Sequence, residues 1–547
     1  MDEDFHDTDV DVLVLGGGLA GLTLALQLRK QQPSLSVTVV ERRGHPVREA
    51  AHKVGESTVE IGAHYFAEVL GLREHLENEQ VRKHGLRYFF SDREHEVQDC
   101  SELGVSRLLP TPSWQLDRGR FENYLGEQAR ALGVDFRDGA VVRSITLDED
   151  SGAHQVGFDH DGDSHVLRAR WVVDASGRAG LLKRKLDLAQ PNDHDVNAVW
   201  WRVDGHVDLD AWSDDPGWRE RMRPAERWKS TNHLCGPGYW FWLIPLASGS
   251  HSLGIVCDAK MHPLETMKTH EKAMDWLRRH QPRAARALER PEHRLQDFLF
   301  LRHFSYGCKQ VYSGQRWALT GEAGLFLDPF YSPGSDFIAI SNTYVCDLIG
   351  KDFAGEDFAP YAGIYQQFYF SFYENTLTLY QDQYPMFGHP QAMPLKVVWD
   401  YAYYWSLLAP LFFSGRQTLL PVLARLKPEF DAGRALNLAM QALLRDWGAR
   451  DPSPTLTGGC SLDPYQLDWC RGMNGGLTDT LDDDEYLART RESIAAMRRL
   501  AGEILALARA GCPGVGDHGL DALATHDPQG HAPMLPARWW APVAATA

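Results

Sequence analysis

Residues 10–15 form a short, nearly continuous apolar run, and three glycines follow it at once in Gly16-Gly17-Gly18-Leu19-Ala20-Gly21. Apolar residues then recur at helical spacing over 22–28, and a second apolar run over 37–40 ends in Glu41. Strand, glycine turn, helix, strand and terminal acid together demand a parallel α/β sheet buried on both faces. Each part has a physical task. Gly16 makes the turn, Gly18 lets backbone approach a pyrophosphate, and Gly21 lets the helix pack close on the strand. The start of the helix offers its free amides and dipole to phosphate, and Glu41 can accept hydrogen bonds from a ribose. The frame therefore predicts an adenine dinucleotide bound by the first forty or so residues.

Two later segments repeat the strand-into-glycine pattern. Trp171-Val172-Val173-Asp174 runs into Ala175-Ser176-Gly177, placing a carboxylate where open α/β sheets bind ligands. Trp317-Ala318-Leu319-Thr320 runs into Gly321-Glu322-Ala323-Gly324. Between them, alternation over 156–167 and 239–256 predicts antiparallel sheet. After about residue 350 the pattern turns helical; over 486–510, Ile494, Met497, Ala501, Ile504 and Leu507 share one face behind an acidic start. The expected architecture is α/β. Residues 1–350 form a Rossmann-like core with an antiparallel substrate sheet at about 190–300, and 351–547 form a helical cap with an irregular tail from 511.

Charge and cysteine usage narrow the function classes. Lys plus Arg number 56 against 74 Asp plus Glu, a net charge of −18, which argues against a nucleic-acid groove or an anionic membrane surface. Eight cysteines are scattered with no CxxC pair, as expected of reduced thiols in a cytoplasmic protein without a structural metal. The acidic N-terminus lacks the apolar core of a secretory signal. Residues 397–413 come nearest to a transmembrane segment, but Asp400 and Pro410 interrupt them, and no span is expected. The aromatics Trp399, Tyr401, Tyr403, Tyr404 and Trp405 there suit either a buried helix pair or a pocket wall.

Four stretches taken together carry a family resemblance. They are the glycine fingerprint with Glu41; Lys53-Val54-Gly55-Glu56-Ser57-Thr58; Trp240-Phe241-Trp242-Leu243-Ile244-Pro245; and Phe326-Leu327-Asp328-Pro329-Phe330-Tyr331-Ser332-Pro333-Gly334. Gln115-Leu116-Asp117-Arg118, followed by Phe121, adds an arginine segment. In this order, over roughly residues 8–350, the chain resembles the FAD-dependent monooxygenase superfamily and, within it, the flavin-dependent halogenases of the tryptophan-halogenase family. The resemblance implies FAD, reduced by a separate flavin reductase, acting with O2 and a halide (bromide or chloride). Hypohalous acid then passes down a tunnel to a lysine beside an aromatic substrate.

Registering Gly55-Glu56-Ser57 on the family pattern puts that lysine at Lys83. The alternative for Lys83 is a solvated lysine in a charged loop, as most lysines are. Its neighbour over 86–90 reads as a strand entering the core, where desolvation would favour a neutral amine. Lys53 is the competitor and is assigned to the flavin. Trp240 and Trp242, two apart on a strand, share a face, and the resemblance implies that they screen the flavin from anything larger than a halide. The expected catalytic set is Lys83, Trp240, Trp242 and Ser332. The cofactor set is Gly16, Gly18, Gly21, Glu41, Lys53, Gly55, Glu56, Ser57, Arg118, Asp174, Gly321, Glu322, Pro329 and Gly334, with the halide at Gly334 and Ser335.

Two departures bear on substrate and halide. Tryptophan-directed members carry a glutamate where this chain has Tyr331, which points to a phenolic or carrier-protein-bound arene instead of free tryptophan. Of the two amides that follow the motif serine, one belongs to Pro333, which has no N–H; a weakened halide site favours bromide or iodide, or marks halogenation as lost. A hydroxylating monooxygenase reduced by NAD(P)H and a flavin-binding accessory protein stay open as alternatives. His52, His64, His84 and His389 are each possible bases toward a phenol.

Overall fold

The computed structural model describes residues 9–50, 52–92, 96–148, 153–451, 461–524 and 532–536. They divide into two compact units, one of residues up to 80, 116–193 and 304–374, the other of 81–115, 194–303 and 375 onward. A boundary near residue 350, expected from the switch to helical periodicity, is not where the chain divides. The antiparallel sheet groups with the C-terminal helices, and 351–374 stay with the dinucleotide unit. Periodicity gives a helix its apolar face but not the surface that face packs on. Ring contacts decide it for the helix Ala359–Leu377, whose Tyr365 and Phe372 stack on Tyr344 and Phe337 at 4.5 and 4.4 Å.

In the first unit, Val10–Leu15 pairs in parallel with Val37–Glu41 on one side and with the end of Asp163–Asp174 on the other. Asp135–Asp138 and Trp317–Leu319 extend the parallel set outward. The first half of Asp163–Asp174 turns antiparallel with His154–His160, as the alternation predicts. Every residue of Val12 to Leu15 is fully buried, which is why that run carries no polar alternation. One buried amide ties the unit together. Asn342, on the helix Gly334–Phe353, has its Nδ2 3.1 Å from the Ala20 carbonyl, Thr23 Oγ1 and Tyr65 OH, which share its two N–H groups, and its Oδ1 accepts from Thr320 Oγ1 at 2.7 Å.

The second unit holds an eight-stranded sheet. Its central strands are Val196–Asp204, Ser250–Asp258, Tyr239–Pro245, Thr231–Gly236 and Leu86–Phe90, all antiparallel except that Leu86–Phe90 runs parallel to Thr231–Gly236. Alternation gives this sheet two different faces. One is a dry core of Phe89, Trp201, Leu234, Phe241, Leu243 and Ile255 packed with Trp276 and Leu277 of the helix His270–His280. The other is aromatic and polar. The stretch 397–413 is a buried helical segment, Ala392–Tyr403 continuing through a wide turn at Tyr404–Leu408 into Ala409–Phe413. Among the described residues no helix is long and apolar enough to cross a membrane. Asp400 is held inside by Lys396 Nζ at 2.6 Å. The seven described cysteines are buried and free of disulfides. About half of the expected tail from 511 lies outside the described residues; within the rest a short helix, Leu520–Leu523, is present.

Candidate active site

In the first unit the glycine turn has the geometry its task requires. Gly16 has φ +116°, and a Cβ there would lie 2.4 Å from the Ala175 carbonyl oxygen. At Gly21 a Cβ would come within 1.9 Å of the Gly16 oxygen, so only glycine lets the helix Leu19–Gln31 start this close to the sheet. Gly18 is different: a Cβ there would meet no atom within 4 Å. The absence of a side chain at Gly18 thus serves no internal packing. It leaves the helix start open to a ligand. Glu41 accepts from the Gly17 and Arg43 amides at 2.7 and 2.9 Å, which fixes its carboxylate at the end of the second strand.

Around this turn the structure gathers most of the expected cofactor set. Arg118 donates to the Val54 carbonyl at 2.5 Å and to Glu122 at 2.6 Å, and a Cβ on Gly55 would stand 2.9 Å from its Nη1. The Arg118 Nε is buried without an acceptor among the described residues. Burial lowers the Arg118 pKa, while the charges of Glu56 and Glu322 act against that. Lys53 pairs with Glu122; burial, with the charges of Arg118 and Arg43, nonetheless lowers its ammonium to about 7. An open glycine face, a buried guanidinium nitrogen in need of an acceptor and a paired lysine fit a phosphate-bearing dinucleotide. Asp174 has another task. Its two oxygens take the Ser176 and Leu182 amides at 2.9 and 2.7 Å, so it shapes the turn that closes its strand.

The Phe326-to-Gly334 motif folds as a single-turn helix, Pro329–Tyr331, capped by Asp328, before the helix Gly334–Phe353 begins. Ser332 joins them in the left-handed region at φ 56°, ψ 40°, a costly conformation for a residue with a Cβ. Pro333 is the N-cap and Gly334 begins the helix, with nothing within 4 Å of the place a Cβ would take. Asp336, in the first turn, accepts the Gly62 amide at 2.8 Å. A Cβ on Gly62 would strike Ser335 Oγ at 2.2 Å, so this glycine lets the short helix Glu60–His64, just after Ser57, pack against the helix start. The helix Glu60–His64 and residues 335–336 thereby meet at one helix terminus, where free amides favour an anion.

In the second unit Lys83 sits in the loop between Val81–Arg82 and Leu86–Phe90, its amide donating to the Ser113 carbonyl at 3.1 Å. Its side chain is buried, at 3 % exposure, which rules against the solvated-loop alternative. Register sets its surroundings. Tyr88 lies opposite His233, and His233 opposite Trp242, across three neighbouring strands. The rings of Tyr88 and His233 stack at 4.6 Å, His233 and Trp240 meet at 5.2 Å, and Trp240 and Trp242 at 5.6 Å. Trp240 donates its indole N–H to Tyr384 OH at 2.9 Å, and Trp242 fills the space above Gly254. Burial, with the Lys83 charge adding to it, lowers His233 to about 3, so the imidazole is neutral.

His233 was not among the residues singled out from sequence. Only the alternation of residues 231–236 hinted that His233 shares a face with Cys235, and nothing local tied it to Lys83. Of the histidines considered as bases, His84 meets Glu226 at 3.0 Å and His389 is buried with its pKa lowered to about 4 by desolvation. Neither is part of the ring stack.

The model for an FAD binding domain matches residues 9–278. The chain is 25% identical over 469 residues to the flavin-dependent halogenase chlA of Dictyostelium discoideum, covering 79% of this chain and 76% of that protein. It is 27% identical over 357 residues to the 1H-pyrrole-2-carbonyl-[peptidyl-carrier protein] brominase of Pseudoalteromonas luteoviolacea, covering 63% and 79%. Among solved structures the halogenase PltM shares the fold with TM-score 0.62 at 17% identity over 94% of this chain and 99% of that one. The flavin-dependent brominase Bmp2 does so with TM-score 0.56 at 23% identity over 69% and 87%.

Proposed function

Because this chain belongs with the flavin-dependent halogenases, flavoprotein oxidoreductases built on an FAD binding domain, we propose that it halogenates an aromatic substrate, phenolic or bound to a carrier protein. Gly16, Gly18, Gly21, Glu41, Lys53, Gly55, Glu56, Ser57, Arg118, Gly321, Glu322 and Pro329 hold the FAD, with Asp174 shaping the sheet end behind them. Bound and reduced, that group supplies the two-electron activation of O2 that halide oxidation requires. A separate flavin reductase supplies the electrons. The amides of Gly334 and Ser335 hold the bromide or chloride at a helix start, with Ser332 positioning the turn. Lys83 takes up the resulting hypohalous acid, as a hydrogen-bond donor through its ammonium or, as a neutral amine, by accepting the halogen with release of water. The arene then forms its carbon–halogen bond and releases a proton. Trp240 and Trp242 keep organic molecules from the oxidant's source.

One observation carries this reading: buried Lys83 lies near enough to act by its charge on His233, whose ring meets Trp240 at 5.2 Å, although 157 residues separate Lys83 from Trp240. The test is a reaction containing FAD, a flavin reductase, NADH, bromide and an electron-rich phenol or its carrier thioester. Lys83→Ala should lower brominated product by roughly a hundredfold or more while FAD binding is unchanged. Undiminished product from that variant sinks the assignment. Pro333, which removes an amide from the halide site, favours a second reading, a hydroxylating monooxygenase. Hydroxylated product at equal yield with and without halide would select it.

A further inference from the structure

Each indole N–H of the tryptophan pair has an acceptor, and the two acceptors come from different parts of the fold. Trp242 donates to Ser252 Oγ at 3.2 Å. Ser252 belongs to the neighbouring strand Ser250–Asp258, where register sets it opposite Ile244 and puts Gly254 opposite Trp242. A Cβ on Gly254 would stand 2.2 Å from the Trp242 ring, so the sheet itself makes room for this indole. Trp240 is held from outside the sheet. Its acceptor is Tyr384 OH at 2.9 Å, 144 residues away in sequence, in the single-turn helix Tyr384–Met386. Both side chains are buried, at 2 % exposure each. A buried indole N–H requires an acceptor, and an acceptor that cannot move fixes the ring.

Several contacts keep Tyr384 in place. Its carbonyl accepts the Gly238 amide at 2.8 Å, in the tight turn that joins Thr231–Gly236 to Tyr239–Pro245 just before Trp240. Beyond Tyr384, a Cβ on Gly388 would lie 2.5 Å from the Ser91 carbonyl oxygen and 2.7 Å from Pro237 Cδ. This part of the chain therefore lies directly on the turn and on the end of Leu86–Phe90. The Tyr384 ring stacks on Phe387 at 4.4 Å and meets His194 at 5.6 Å. Immediately before it, Gln383 donates to Gln441 at 3.2 Å, and Gln441 is bonded to both members of the buried Lys396–Asp400 pair. Backbone, ring and preceding side chain thus lock the phenol oxygen against the strand that carries Trp240.

We propose that Tyr384 is a positioning residue for the oxidation, acting through Trp240 by holding that indole in its screening orientation. The inference rests on the role given to Trp240 in the proposed function and adds to it a residue from the C-terminal part of the chain. Without the hydroxyl the Trp240 ring turns toward another acceptor, and the screen opens in both directions: hypobromite leaves and organic molecules enter. Tyr384→Phe keeps the ring and its stacking and removes only the oxygen. The full chain is run with FAD, flavin reductase, NADH, bromide and monochlorodimedone, whose bromination counts escaped hypobromite per NADH oxidised. Tyr384→Phe should raise that ratio roughly threefold or more. Trp240→Phe should raise it at least as far, and adding Tyr384→Phe to it should change nothing further, because the hydroxyl acts only through that indole. Spectra of protein labelled with nitrogen-15 tryptophan separate positioning from general loosening. The Trp240 indole N–H, identified by its absence in Trp240→Phe, should exchange with solvent about tenfold faster in Tyr384→Phe, while that of Trp242 stays protected. An unchanged ratio in Tyr384→Phe, a further rise when it is added to Trp240→Phe, or equal release of both indoles overturns the proposal. Brominated product from the wild type in the Lys83 test keeps the halogenation reading standing when this proposal fails.

Discussion

At Gly18 the place a Cβ would take is empty of protein, whereas at Gly16 and Gly21 it is filled by backbone at 2.4 and 1.9 Å. Two of the fingerprint glycines thus serve the fold and one serves the ligand. Gly18→Val should stay within roughly 0.5 kcal/mol of wild-type stability in urea yet bind FAD roughly tenfold or more weakly. Equal FAD affinity in the two proteins would remove Gly18 from the cradle. His233 gives a prediction in pH. Its pKa is about 3 in the folded chain against 6.5 for an unperturbed imidazole. As pH falls below 6.5 the unfolded chain takes up a proton that the folded one refuses, so stability present above pH 6.5 is lost progressively toward pH 3. Between pH 6.5 and 5, wild-type stability should fall faster than that of His233→Phe, by up to about 1.4 kcal/mol per pH unit. Parallel curves from guanidinium unfolding would show that His233 titrates in both states alike.

At the scale of elements, the strand Leu86–Phe90 matters because both of its faces are committed. Tyr88 and Phe90 enter the ring stack, while Phe89 packs into the dry core beside a charged cluster. There Arg87 bonds Glu102 and Arg227 donates to the same carboxylate at 2.8 Å; all three side chains are no more than 3 % exposed. Burial raises the pKa of Glu102, but the two guanidinium groups outweigh it and hold the carboxyl below its usual range. Removing the anion leaves buried Arg87 without its ion pair, while Arg227 keeps Asp210 at 3.0 Å. Glu102→Leu should therefore cost about 3–5 kcal/mol in denaturant titration. Because Arg87 lies five residues before Asp92 and four after Lys83, the loop that carries Lys83 should loosen with it, seen as faster amide exchange at residues 83–86. A loss below 1 kcal/mol would mean that water reaches the cluster. The helix Gly334–Phe353 is fixed in the same manner by a polar group inside, Asn342, whose polar contacts join it to three other segments.

For the whole molecule, the chain carries one strand–glycine–helix fingerprint for a nucleotide, and on the proposed reading FAD takes it while a separate reductase supplies the electrons. NADPH mixed with the FAD-loaded protein alone should leave the flavin's visible absorbance unchanged over minutes, and adding a flavin reductase should bleach it. Rapid bleaching without reductase would favour the hydroxylating reading. Most of the parallel sheet, the fingerprint turn and the long C-terminal helix were legible in the residues themselves. Their causes are local: a left-handed glycine, an apolar run, a face repeated every three or four residues. The division into units was not, since helical periodicity does not name the surface a helix packs on. Sequence alone determined that the chain binds an adenine dinucleotide and has a Lys83 and a Trp240/Trp242 pair worth testing. Only the tertiary structure decided that His233 bridges them, that Asp174 spends both oxygens on its own turn, and that Tyr384 receives the Trp240 indole N–H. Those facts depend on strand register and helix packing between residues far apart in the chain, and no local propensity sets either.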